Sequence, residues 1–127
     1  MDVEDARLAA SSGADALIVS NHGGRQLDGA PSSIAALPAI VDAVGSEIEV
    51  WMDGGIRSGQ DVLKARALGA RGTLIGRSFL YGLGAYGQAG VTRALQIIHK
   101  ELDITMAFCG RTDIETVDSS ILLPGTF

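Results

Sequence analysis

Residues 48–58, which read IEVWMDGGIRS, give the clearest indication of the fold in this sequence. The run from Ile48 to Met52 is mostly apolar and predicts a short buried strand. Asp53-Gly54-Gly55 ends that strand, and Ser58 is a plausible N-cap for a helix that follows. A strand, a glycine-rich turn and a helix start therefore follow one another directly, which is the beginning of a β/α unit.

The same unit occurs on both sides of this stretch. Ala16–Val19 is an apolar run that Gly13 precedes and residues 21–24 follow, and Gly72–Ile75 is a similar run later in the chain. Both runs predict strands that are buried on both faces. Pro38 lies inside the second predicted helix and could split it. The predicted helices span residues 2–12, 32–44, 58–69 and roughly 91–108.

The alternation of strands and helices predicts an α/β fold with parallel strands and right-handed crossovers. Two architectures are built from this unit, an open doubly wound sheet and a closed (β/α)8 barrel. Three strands are compatible with either of them. The tail after Gly110 shows no strong pattern and ends in an apolar patch at residues 121–124.

Composition limits the classes of function. The 127 residues include 46% hydrophobic and 20% charged residues, as in an ordinary soluble globular protein. A net charge of −5 disfavours nucleic-acid and membrane-surface partners, and no apolar run is long enough for an integral membrane segment. The acidic start is unlike a signal peptide, so a cytoplasmic location is expected. Cys109, the single cysteine, is predicted to be a buried structural thiol.

Each predicted strand is followed by a polar, glycine-rich loop. Such loops lie at the carboxyl edge of a parallel sheet, where α/β proteins bind their ligands. Gly54 and Gly55 allow close approach of the backbone, and Arg57 and Arg77 offer planar donors to a phosphate. Alternatively, the glycines form only a turn and the arginines are solvated. Asp53 is equally suited to capping a helix and to binding cofactor hydroxyl groups. The loops are His22-Gly23-Gly24-Arg25, residues 53–57 and Gly76-Arg77.

His22 and Arg25 are candidates for acid–base chemistry beside a carboxylate. An imidazole titrates near neutral pH, and a guanidinium can bind a carboxylate through two hydrogen bonds. The alternative from spacing alone is a loop histidine bonded to a carbonyl group, with Arg25 paired to Asp28. The sequence pattern leaves both interpretations open.

The nonapeptide at residues 20–28, SNHGGRQLD, resembles the signature of the FMN-dependent 2-hydroxy-acid dehydrogenase and oxidase family. That family includes glycolate oxidase, lactate oxidase, L-lactate dehydrogenase and mandelate dehydrogenase. Residues 53–59, DGGIRSG, and Gly76-Arg77 follow at the family's spacing, and the likeness covers nearly the whole chain. The nonapeptide is specific, whereas the DGGIR element is shared with other FMN or phosphate barrels.

The resemblance implies roles for individual residues. His22 matches the general base, Arg25 matches the residue that binds the substrate carboxylate, and Ser20 matches a position near the flavin ring. Whether electrons leave the substrate as a carbanion pair or as hydride stays open. Asp53 matches a contact to the ribityl or phosphate region of FMN. The remaining matches to cofactor-binding positions are Gly54, Gly55, Ile56, Arg57, Gly76 and Arg77, with no metal site.

The resemblance also implies a fold and an activity. Residues 1–127 would form a single partial domain, namely the C-terminal three β/α units and a C-terminal helix of a TIM (β/α)8 barrel. The implied activity is FMN-dependent oxidation of a small L-2-hydroxy acid, such as lactate or glycolate, to the 2-oxo acid. The alternatives are a non-catalytic flavin- or phosphate-binding half-barrel, or an inactive fragment that needs another chain. A homo-oligomer or completion by another chain is therefore expected.

Overall fold

A computed structural model describes residues 1–125, and within them three parallel strands form one sheet. The strands are β1 (Ala16–Val19), β2 (Glu49–Met52) and β3 (Gly72–Thr73), hydrogen-bonded in the order β1-β2-β3. Ile18 pairs with Trp51, and Trp51 pairs with Gly72. The three predicted strands are thus confirmed, although β3 is two residues long and ends before Leu74, close to the turn at Gly76.

Helices connect and follow the strands. The helices are α1 (Val3–Ser11), α2 (Ser33–Val44), α3 (Gly59–Ala67) and α4 (Arg77–Phe108). Ser58 caps α3 as predicted, because its side chain accepts from the Asp61 N–H while the Asp61 carboxylate accepts from the Ser58 N–H. Pro38 does not split α2, which runs unbroken from Ser33 to Val44. None of the helices within residues 1–125 is long and apolar enough to cross a bilayer.

The start of α4 differs from the prediction. The helix begins at Arg77, not near Val91, and it bends at Tyr86 and Gly87, whose φ angles are −144° and 58°. The two segments that result, residues 77–85 and 88–108, pack closely where Gly82 meets Gly90. A Cβ on either glycine would overlap the backbone of the other. The first segment is rich in glycine, which has a low helix propensity, and for that reason the sequence pattern missed it.

The helices cover only one face of the sheet. Val19, Val50 and Met52 point to that face and are buried in a core with α2. On the opposite face Ile18 is 52% exposed, and the Trp51 side chain lies over Gly72. The prediction of strands buried on both faces was wrong for this reason. Helices on a single face are the arrangement of a barrel wall, whereas a doubly wound sheet carries helices on both faces.

The tail after α4 packs against α3. Val117 is buried beside Leu63 and Ala67. The guanidinium of Arg66 donates to the Ile114 carbonyl oxygen at 3.1 Å and to the Glu115 carboxylate at 3.0 Å, which holds the tail in place. The predicted apolar patch at residues 121–124 is only partly buried: residues 121 and 122 pack against the tail's core, while residue 123 is 74% exposed. Cys109 is exposed at the end of α4, so the prediction of a buried thiol was wrong.

Packing of α3 on α4 gives a first testable prediction. A Cβ at Gly59 would overlap the backbone of Glu101 and Leu102, and backbone atoms cannot rotate away as a side chain can. Gly59→Ala should therefore lower the free energy of unfolding by at least about 2–3 kcal/mol. Urea unfolding followed by circular dichroism measures the change.

Gly84→Ala is the matched control for this variant. Gly84 lies in α4, and no atom of residues 1–125 stands within 4 Å of its Cβ position. Its substitution should leave stability unchanged or raise it by up to about 1 kcal/mol, through the better helix propensity of alanine. Equal losses in both variants would contradict the close approach of α3 to α4.

Candidate functional site

A cavity of about 330 Å³ opens at the carboxyl ends of the three strands. Its walls come from the loops after β1, β2 and β3 and from the first turn of α4. Every predicted site residue except Ser20 lines this cavity. The lining residues are His22, Gly23, Arg25, Asp53, Gly54, Gly55, Ile56, Arg57, Leu74, Ile75, Gly76, Arg77 and Leu80. The loops that the sequence predicted to meet are therefore brought together.

His22 adopts an unusual backbone conformation. Its φ angle is 55°, and it is the one non-glycine residue with positive φ among the described residues. This left-handed conformation costs a side-chain-bearing residue about 1–2 kcal/mol. The neighbouring side chains hold it in place. Ser20 Oγ accepts from the His22 N–H at 3.0 Å, and Asn21 Oδ1 accepts from the Gly23 N–H at 3.0 Å. Ser20 thus stabilises the conformation of the loop, although it does not line the cavity.

Arg77 joins the third loop to the first. Its Nη2 donates to the Gly23 carbonyl oxygen at 3.0 Å. A guanidinium carries five N–H donors, so one bond to Gly23 leaves capacity for an anion. Arg25 is exposed on the same loop and does not pair with Asp28 in the part of the chain that the structure describes. The Asp28 carboxylate accepts instead from the Gly29 N–H at 3.1 Å.

Asp53 lies at the end of β2 with one carboxylate oxygen buried. Within residues 1–125, Asp53 Oδ1 has no hydrogen-bond partner. A buried carboxylate oxygen without a donor is costly, and this cost indicates that a donor is missing from the site. Helix capping does not account for Asp53, because Ser58 and Asp61 cap α3. The orphaned oxygen therefore fits a hydroxyl group of a ligand.

Arg57 and Arg77 are the two arginines that line the cavity on the loops after β2 and β3. Both are exposed, and both also line a second cavity of about 500 Å³ between the two segments of α4. The helix α4 begins at Arg77, and the Arg77 and Ser78 N–H groups precede its first backbone bonds, which Phe79 and Leu80 donate to the Gly76 carbonyl oxygen. Ser78 Oγ donates to the Ile56 carbonyl oxygen at 2.9 Å, which ties this helix start to the β2 loop. Two guanidinium groups and a helix N-terminus are a suitable environment for a phosphate.

Sequence reasoning missed two groups of residues in this region. Leu74, Ile75 and Leu80 form part of the cavity wall, and the sequence did not mark them as site residues. Ser33 is 1% exposed and bonded to the β1 loop, although the sequence suggested only a helix start there. The available signal was a hydroxyl residue at the first position of a helix that follows a glycine-rich loop.

Comparison with known proteins identifies the class to which this fold and site belong. A solved mandelate oxidase structure with a monooxide FMN adduct superposes with a TM-score of 0.89 at 49% identity, over 92% of this chain and 37% of that chain. The structural neighbours are FMN-dependent oxidase (β/α)8 barrels, so the three strands are part of a barrel wall, as predicted.

The family follows from the sequence comparisons. Residues 1–124 match the family model described as FMN-dependent dehydrogenase, and the chain belongs to this family. An L-lactate dehydrogenase of Caulobacter vibrioides is 56% identical over 122 residues, which are 96% of this chain and 32% of the relative. An L-lactate oxidase of Nostoc sp. is 51% identical over 119 residues, 94% of this chain and 33% of the relative. The chain thus spans about a third of the length of these curated relatives.

The strained backbone at His22 gives a second testable prediction. His22→Gly should leave the free energy of unfolding unchanged or raise it by up to about 1 kcal/mol, since glycine adopts positive φ freely. His22→Val should lower it by about 1–2 kcal/mol, because a β-branched residue tolerates this conformation poorly. Thermal unfolding of both variants measures the difference.

The other histidine supplies the control. His99 is exposed within α4, so His99→Val should change stability by only a few tenths of a kcal/mol. The positive φ angle would be contradicted if His22→Gly and His22→Val destabilised the protein equally.

Proposed function

We propose that this chain supplies the base and the cofactor-phosphate pocket of an FMN-dependent enzyme that oxidises a small L-2-hydroxy acid, such as lactate or glycolate, to the 2-oxo acid. One observation carries the proposal. A single cavity is lined by His22 and Arg25 on the β1 loop and by Arg57 and Arg77 after β2 and β3. The groups suited to a hydroxy-acid substrate and the groups suited to a cofactor phosphate therefore line the same cavity.

The residues at the cavity fit FMN. Gly55 and Gly76 have open space at their Cβ positions, so the backbone there is accessible to a phosphate. Arg57 and Arg77 would bind the phosphate oxygens, and Gly54 and Ile56 belong to the β2 loop that carries Arg57. Asp53 Oδ1 would accept a hydrogen bond from a ribityl hydroxyl, which would satisfy its buried oxygen. Ser20, which supports the His22 N–H, would lie near the flavin ring.

The protein groups have separate tasks in the proposed reaction. FMN, when bound, accepts the two electrons that the substrate loses. The His22 imidazole accepts the proton that leaves the substrate, which is the task of a general base. The Arg25 guanidinium binds the substrate carboxylate through two hydrogen bonds and so orients the carbon that is oxidised. Both residues lie on one short loop, three positions apart, and both line the same cavity.

We further propose that residues 1–127 form one partial domain that functions with further β/α units. The open sheet face at Ile18 and the edges of β1 and β3 are the surfaces that a complete barrel would cover, and about five further units are needed to close it. These units would lie on the same polypeptide or on another chain, and a homo-oligomer is the alternative prediction. A cytoplasmic location stays a prediction.

A non-catalytic flavin-binding role is the second candidate. It is favoured by the position of the phosphate-binding groups, which all lie on the loops after β2 and β3, whereas the sheet face beside the substrate region is open. Flavin binding without bleaching by any 2-hydroxy acid in a completed barrel would support this alternative.

The phosphate pocket gives a third testable prediction. Arg57→Ala should weaken FMN binding by about 10- to 100-fold, because one charged hydrogen-bonding group to the phosphate is lost. Titration followed by flavin fluorescence measures the dissociation constant. Arg93→Ala removes an exposed arginine from α4 outside both cavities and should bind FMN as the parent does. Equal affinities of the Arg57 variant and the parent would contradict the assignment.

The proposed base is tested in a barrel with all its units. The completed barrel is a chimaera that joins this chain to the N-terminal two thirds of the Caulobacter vibrioides relative. His22→Ala should reduce anaerobic bleaching of the flavin by L-lactate at least about 100-fold, since general-base catalysis contributes that much. FMN content should stay the same.

His99→Ala serves as the control for the His22 variant. His99 lies on the exposed side of α4, so its loss should leave bleaching unchanged. Normal flavin reduction in the His22 variant would rule out its role as the base.

A further inference from the structure

A buried hydroxyl group lies behind the loop that carries His22. Ser33, the first residue of α2, is the one buried polar residue in the described part of the chain, with 1% of its surface exposed. Its Oγ accepts from the Asn21 N–H at 3.1 Å. This bond joins the start of α2 to the residue that immediately precedes His22.

Asn21 is held by hydrogen bonds on three sides. Besides the bond to Ser33, its Nδ2 donates to the Pro31 carbonyl oxygen at 3.4 Å, and its Oδ1 accepts from the Gly23 N–H. Asn21 and Gly23 flank His22 directly. The backbone on both sides of the strained residue is therefore fixed by one asparagine side chain and one serine hydroxyl.

The same pair of side chains contacts the β2 loop. A Cβ at Gly54 would lie 2.8 Å from Asn21 Oδ1 and 2.9 Å from Ser33 Oγ, and the φ angle of Gly54 is 84°. A residue with a side chain would be strained there and would displace both groups. The loop that precedes Arg57 thus rests on the loop that holds His22, with Ser33 beneath both.

We infer that Ser33 and Asn21 are positioning residues for His22. Together with the bond from the His22 N–H to Ser20, they keep the His22 backbone in its left-handed conformation, and they join the β1 loop to the β2 loop. A strained conformation persists only where its surroundings determine it, and the hydrogen bonds of Ser33 and Asn21 contribute to that determination. The functional meaning of this arrangement rests on the proposed role of His22 as the base.

Ser33→Ala tests the inference by nuclear magnetic resonance without any need for activity. Amide exchange at Asn21 should become about five- to tenfold faster, because one hydrogen bond is lost. The backbone scalar coupling of His22 and its imidazole proton shifts should change with it. The chain has two histidines, so the His99 signals serve as an internal reference and should stay in place.

Three further variants separate positioning from general loss of structure. Ser33→Thr keeps the hydroxyl group and should restore the parent signals at His22. Ser32→Ala removes the neighbouring exposed hydroxyl, which forms no capping bond, and should change nothing. Should Ser33→Ala fail to fold, Asn21→Ala replaces it in the test. In Asn21→Ala, the Gly23 amide should exchange faster and the His22 signals should shift. The backbone amide at position 21 should stay protected by its bond to Ser33 Oγ.

Unchanged His22 couplings and amide exchange in Ser33→Ala and Asn21→Ala would overturn the inference. So would equal perturbation of His22 and His99, because that result would report general destabilisation. These readouts are independent of flavin chemistry. Failure of the His22→Ala bleaching test alone would refute the proposed base and leave the positioning result standing.

Discussion

The parallel pairing of three short strands is the constraint on which the site depends. Val19 and Met52 are paired in register, so β1 and β2 end at the same level, and β3 ends beside them at Thr73. Parallel strands that end together place their following loops at one edge of the sheet. The hydrogen bonds from Arg77 to Gly23 and from Ser78 to Ile56 then connect three loops that are distant in sequence. The cavity is a direct consequence of this register.

Two features of the site lower the stability of the fold, and both require rigid surroundings to persist. His22 has a positive φ angle, and the buried oxygen of Asp53 has no donor among residues 1–125. Both are costs to folding, and strained or unsatisfied groups cluster where proteins bind ligands. The compensation comes from the core beneath the loops, where Val50, Met52 and α2 pack tightly on one face of the sheet. The packing that stabilises the fold therefore lies beneath the loops that form the site.

Local patterns in the sequence predicted the strands, the Ser58 cap and the convergence of the glycine-rich loops, because short-range periodicity and turn residues determine these features. The start of α4 was missed, since the glycines around Gly82 reduce helix propensity while they permit close packing against Gly90. The open sheet face and the exposed Cys109 depend on which other elements are adjacent. The bond from Asn21 to Ser33 joins residues twelve positions apart, and no local pattern marks such a contact.

A crystal structure of the completed barrel with FMN would show directly where the cofactor phosphate binds. We expect the phosphate to lie between the loops after β2 and β3, bound by Arg57 and Arg77. Asp53 Oδ1 should then accept a hydrogen bond from a ribityl hydroxyl group. A phosphate bound elsewhere, with the Asp53 oxygen still lacking a donor, would contradict the assignment of these loops to the cofactor.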